Sequence, residues 1–149
     1  MKVLHMLAGA ALLGLAASPA MAVDTISTDG APDLTAVRAK IKATDYRGAI
    51  TELNAMLDQG VQHADAYSLL GYSLRKSGDT RTAMTYYKKA LDFNPTHKGA
   101  LEYQGELYVQ IGDIARARDN ATKLTALCPQ GCEELADLQL AINGAAKTQ

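Results

Sequence analysis

The sequence predicts an all-α chain built from pairs of helices, and three observations predict it. The first is a period. When residues 64–97 are laid over residues 98–131, Ala66 falls on Ala100, Gly71 on Gly105, Gly78 on Gly112, Asp79 on Asp113, Ala83 on Ala117, Lys89 on Lys123 and Pro95 on Pro129, always at an offset of 34. The second is the kind of residue that coincides: chiefly small residues, which allow close helix contacts, and Gly, Asp and Pro, which end and start helices. The third is composition. The 149 residues are 48% hydrophobic and 21% charged, with no Trp and one Phe, so Ala, Leu and Tyr must fill the core. Such a core suits closely packed helices better than a β-sandwich.

The chain opens on a segment with the features of a secretory signal. Met1 and Lys2 form a short positive start, Val3 to Leu15 is mainly apolar, and Ser18-Pro19 breaks the helix. Ala20-Met21-Ala22 then places small residues where a signal peptidase reads, so cleavage is expected after Ala22. The alternative is an uncleaved anchor. A spanning helix needs about 20 strongly apolar residues, and His5, glycine, Ser18 and Pro19 interrupt this stretch. No Cys lies near the cut, which argues against a lipoprotein. The signal is of the short bacterial type, so the periplasm is the expected compartment, with secretion as the alternative. Residues 23–31 read as a polar leader.

Helices are then expected at about 32–43, 46–59, 64–77, 80–93, 98–111, 114–127 and 132–143, within a domain over 32–145 and a frayed tail over 146–149. Gly71 and Gly105 fall inside helical stretches, where Gly costs about 1 kcal/mol against Ala. That cost is tolerable where the missing side chain lets two helices approach, and Ala83 and Ala117 serve the same contact from the second helix of each pair. Gly78 and Gly112 suit the left-handed residue that closes a helix. Asp79 and Asp113 follow at once as caps for the next helix. Pro95 and Pro129 stop the second helix. In the last stretch Leu135, Leu138, Ala141 and Ile142 share one helical face, as a helix covering the end of a stack would.

Residues 64–97 carry Tyr67, Leu70-Gly71, Leu74, Ala83, Tyr87, Ala90 and Pro95, and residues 98–131 carry Leu101, Gly105, Tyr108, Ala117, Ala121, Leu124 and Pro129. This pattern resembles the tetratricopeptide repeat. Gln104 departs from it where Leu is usual. One period back, residues 30–63 supply the turn Thr44-Asp45-Tyr46 and then Ala49, Leu53 and Met56. This first repeat is degenerate, with no Leu-Gly pair and with Val61 in place of the closing Pro. The resemblance implies a right-handed superhelical stack of about three repeats, over 30–63, 64–97 and 98–131, plus a capping helix over 132–143. It also implies a concave groove lined by the first helix of each pair, taking a protein or peptide ligand.

The face of each first helix opposite Leu70, Gly71 and Leu74 offers Leu34, Arg38 and Lys42, then Asp65, Ser68, Leu69, Tyr72 and Lys76 with Arg75 at its edge, then Glu102, Tyr103, Glu106 and Gln110. The last helix adds Glu133, Asp137 and Leu140. That surface is expected to be basic early and acidic late, with Tyr72 and Tyr103 between as contact aromatics. The plainer reading is a set of solvated charges, with pairs worth only tenths of a kcal/mol. Some relatives in the resembled family clamp a carboxylate with Lys, Asn and Arg. Leu34, Leu69 and Glu102 stand where that clamp would place basic or amide residues, which argues against it and against a cytosolic co-chaperone role.

Cys128 and Cys132 bracket Pro129-Gln130-Gly131. In an oxidising compartment two Cys so close read first as a disulfide that staples the last helix. A thiol-redox pair or a soft Cu(I) site is the alternative. His63 and His97, which lie 34 apart at matching junctions, are expected to be loop residues and not ligands. The formal net charge of −1 gives no reason to expect nucleic acid or an anionic membrane surface as partner. G-x-S-x-G, a phosphate loop, H-E-x-x-H and C-x-x-C are all absent, so neither enzyme chemistry nor a cofactor is expected.

Overall fold

A computed structural model describes residues 30–147, so the expected signal, the leader before residue 30 and the last two residues lie outside the described residues. The described chain forms seven α-helices and no strand: α1 (Thr35–Lys42), α2 (Tyr46–Asp58), α3 (Ala64–Lys76), α4 (Thr80–Phe93), α5 (Lys98–Gln110), α6 (Ile114–Leu127) and α7 (Glu133–Ala146). Among the described residues, no helix is long and apolar enough to cross a membrane.

One turn makes each pair. α1, α3 and α5 all end on a residue with positive φ: Thr44 at 60°, Gly78 at 97° and Gly112 at 83°. The backbone then closes in a 6→1 pattern, with Asp45 N donating to Lys40 O (2.9 Å), Asp79 N to Leu74 O (2.9 Å) and Asp113 N to Tyr108 O (2.8 Å). The same three Asp residues cap the next helix. Their carboxylates accept from the amides of Gly48, Thr82 and Arg116. Two consecutive residues thus end one helix and start the next, which leaves no slack in the connection. Thr44 does this with a β-branched side chain in a region that disfavours one.

Of the junctions between pairs, the one after α2 repeats the left-handed closure, with Gly60 at φ 90° and Val61 N donating to Met56 O at 3.0 Å, and the other two use different chemistry. Asn94 and Cys128, each preceding a Pro, are extended (φ −141° and −135°), which ends α4 and α6. α1 begins at Thr35, three residues after the expected start at Pro32. The Asp33 carboxylate accepts from the Thr35 amide at 2.9 Å and turns the chain there. Leu34 is then the N-cap, with its side chain buried in the core. α7 starts one residue late and runs a turn beyond the expected 143. Ala146, expected to fray, is its last helical residue.

α3 packs on α4, α5 on α6, and α5 also packs on both α3 and α7, so the first helices of successive pairs form one layer. The closest approaches fall on the helical glycines. A Cβ on Gly71 would meet the Tyr87 ring at 2.7 Å, and one on Gly105 would meet the Leu138 side chain at 2.6 Å. Tyr87 and Leu138 are fully buried and cannot retreat. Ala83 and Tyr87 belong to one core cluster with Leu107, while Ala117, Leu124, Leu135, Leu138 and Ile142 form another that ties α7 to the stack. We expect Gly71→Leu to overpack this contact and cost roughly 1–3 kcal/mol or more. Chemical denaturation checks it, and a melting temperature within a degree of wild type would mean that Gly71 does not hold the pair together.

Candidate functional site

The layer of first helices carries a cleft of about 320 Å³. Arg38 of α1 forms one wall. Asp65, Ser68 and Leu69 of α3 and Glu102 and Tyr103 of α5 form the floor, and Glu133, Glu134 and Asp137 of α7 form the far wall. His97 and Gly99 complete it at the start of α5. The lining follows from spacing: each helix contributes side chains three or four residues apart, hence one face.

His97 is a cap and not a loose loop residue. Its Nδ1 accepts the Ala100 amide at 3.0 Å, which leaves the ring proton on Nε2, 2.7 Å from Asp65 Oδ1. His63 does the matching job for α3, its Nδ1 accepting the Asp65 amide at 3.2 Å. Asp65 is therefore held between two helix starts, and the 34-residue spacing of the histidines was the signal for it. Gly99 and Glu134 also join the cleft without having been picked out from the sequence.

The expected basic half of the surface does not assemble. Of Arg38, Lys42, Arg75 and Lys76, only Arg38 lines the cleft. Arg75 is ion-paired with Glu106 across α3 and α5, and its guanidinium lies 5.7 Å from the centre of the Tyr72 ring. Lys76 approaches that ring at 5.9 Å, and Lys42 is exposed on α1 away from the cleft. Leu34 packs in the core with Val37, Ala49 and Leu53, and Leu69 is buried in that cluster with only its edge on the cleft. Tyr72 does not line the cleft but supports Tyr103, their ring centres 4.7 Å apart, with Tyr46 behind at 6.2 Å.

The acidic half is denser than the spacing alone suggested. Glu134 has Lys98 at 3.7 Å and Asp65 has His97, but Glu102, Glu133 and Asp137 have no hydrogen-bond or ion-pair partner among the described residues. Glu102 is 8% exposed. Burial, and then the charges of Glu106, Asp137, Glu134 and Glu133, push its carboxyl up to about 8. Burial in turn pushes the Tyr103 phenol up to about 12, with the neighbouring Glu102 adding to it. Ser68 Oγ is buried without a partner at the cleft floor.

Cys128 and Cys132 stand at the α6–α7 turn with their Cα atoms 5.9 Å apart, inside the range of about 4.4–6.8 Å that a disulfide spans. Among the described residues no cluster of three or more His, Cys, Asp or Glu side chains is arranged to hold a metal ion.

A stack of helix pairs whose first helices share one face is a helical-repeat solenoid. Residues 64–97 match the family model of the tetratricopeptide repeat, and the chain is a tetratricopeptide-repeat protein. It is 35% identical over 108 residues to a probable biofilm formation methyltransferase, WspC, of Pseudomonas putida, covering 72% of this chain and 25% of that protein. It is 28% identical over 91 residues to the uncharacterized protein ycf37 of Pyropia yezoensis, covering 61% and 48%. With the cellulose synthase 2 operon protein C of Komagataeibacter xylinus it shares 31% identity over 100 residues, covering 67% and 8%. The chain thus spans half or less of the length of each of these relatives.

Glu102 makes folding depend on pH. Its folded carboxyl keeps a proton up to about 8, while the unfolded one releases it near the ordinary 4.5. The folded state binds more protons between those values, so its stability should fall as pH rises through that window. Glu102→Gln removes the effect. Urea midpoints should show the variant more stable than wild type at pH 9 and not at pH 5. An equal difference at both pH values would mean an ordinary carboxylate.

Proposed function

We propose that this protein is an exported adaptor that binds a protein partner along the shared face of α1, α3, α5 and α7, and that it performs no catalysis. The observation that carries the reading is the cleft itself. Four helices from separate parts of the chain converge on it, and Arg38, Glu133 and Asp137 line it without internal partners. Repeat stacks differ in partner chiefly through such face residues. The match of residues 64–97 to a repeat family known for protein binding supports it. The export reading rests on the apolar run from Val3 and on Ala20-Met21-Ala22.

Site-specific photo-crosslinking tests the binding face. A photoreactive residue at Asp137 or Arg38, both exposed on the cleft walls, should give adducts with one and the same partner in native extract. The same group at Thr125, exposed on α6, should not. Adducts from Thr125 with none from Arg38 or Asp137 would move the binding face to the second helices.

We read the cysteine pair as a disulfide staple. The 5.9 Å Cα separation suits it, and the residues it brackets lead directly into the helix that carries Glu133 and Asp137. Protein taken from the periplasm should lack its first 22 residues and show no free thiol until reduced. Replacing both residues, Cys128→Ser with Cys132→Ser, should lower stability by about 2 kcal/mol or less, the chain-entropy value for so short a loop, and leave crosslinking at Asp137 in place. Free thiols in fresh protein, with loss of function at unchanged stability, would instead point to a thiol or copper carrier.

A further inference from the structure

We propose that the cleft between α3, α5 and α7 takes a lysine or arginine side chain of the partner, seated against Glu102. This rests on the groove reading above and names its partner's chemistry: an extended segment with a basic residue.

Two polar residues at the cleft floor, both buried as residues, have side chains without protein partners. Ser68 is 1% exposed and its Oγ makes no hydrogen bond. Glu102 is 8% exposed and makes neither a hydrogen bond nor an ion pair. Buried polar groups ordinarily have partners; Ser68 Oγ is such a group without one, and the Glu102 carboxyl beside it opens onto the cleft with no protein partner. A ligand that donates hydrogen bonds and carries positive charge would satisfy both groups, and its charge would displace the proton that Glu102 holds in its absence. Glu133 and Asp137 stand over the same space, equally unpaired, and add to the negative potential of a mainly polar recess.

The remaining lining fits the stem of such a side chain. Leu69 and the Tyr103 ring offer an apolar surface for the methylenes of Lys or Arg, and the ring face attracts a cation. A cleft of about 320 Å³ is at the low end for bound ligands, enough for a side chain with the peptide backbone left outside. Arg38 at the rim decides between sources of the cation. It repels a ligand with charges strung along its whole length, such as a polyamine, but donates readily to the backbone carbonyls of a peptide. An acidic peptide, the ligand of a basic clamp, would place its carboxylates beside five acids.

The test uses the full chain and fluorescence anisotropy with three labelled decapeptides of Ala and Ser that carry one central Lys, Gln or Glu. The Lys peptide should bind roughly tenfold or more tightly than the Gln peptide. Glu102→Gln should erase most of that preference while folding normally, because a neutral isostere leaves the cavity filled. Arg38→Gln should tighten spermidine relative to the Lys peptide. Asp119→Asn, which removes an exposed charge on α6, should change binding less than twofold. The proposal is overturned if Asp119→Asn costs as much as Glu102→Gln, since the attraction is then diffuse. It is overturned equally if spermidine outcompetes the Lys peptide in a Glu102-dependent way. If the Lys and Gln peptides bind alike, or none binds, while Asp137 still crosslinks its partner, the cation reading falls and the groove reading survives. If the crosslink is also absent, both fall.

Discussion

Everything in this fold depends on how abruptly the chain can reverse. A left-handed residue closes each first helix, and the Asp that follows it caps the second, so two residues carry the whole reversal. A turn with no slack fixes the spacing and angle of the two helices, and that fixed angle brings Gly71 against the Tyr87 ring. With a longer connection the glycine would only weaken its helix; here it is the surface on which the pair closes. The degenerate first pair keeps the geometry with Thr44, at the cost of a β-branched residue where glycine fits without strain.

The cleft is a consequence of that repetition. The repeated reversals set α1, α3 and α5 to one side of the stack with α7 at its end, and polar residues from all four meet in one recess. Electrostatics there are cumulative. Asp65 is hydrogen-bonded by His97 and Glu106 is ion-paired with Arg75, so both contacts also tie α3 to the α5 segment. What remains open is acid from α5 and α7 facing Arg38 from α1. The junction at Cys128 and Cys132 sets where α7 lies, and with it the far wall of the recess.

The tyrosines connect core and surface. Tyr87, fully buried, lies 6.4 Å from Tyr103, which touches Tyr72, which in turn reaches Tyr46. A chain with no Trp and one Phe thus builds a continuous aromatic seam through α2, α3, α4 and α5. A side chain expected to contact a ligand, Tyr72, is instead the prop that orients one that lines the cleft.

What the sequence by itself determined was local. Gly78-Asp79, Gly112-Asp113, Pro95 and Pro129 act within one turn of chain, through backbone conformation and side-chain caps, so seven helices and the reversals between them were legible from composition and spacing. The start of α1 escaped, because an Asp33 to Thr35 hydrogen bond competes with a Pro-led start that looks equally good on paper. The tertiary structure alone decided which charges remain unpaired. Arg75 and Glu106 lie 31 residues apart, as do many other possible pairs, and only the packing of α3 on α5 selects that one. The burial of Glu102 is likewise set by α7, a helix that the sequence separates from it by two turns and all of α6. Burial and pairing are sums over neighbours from distant parts of the chain, and no local signal carries them.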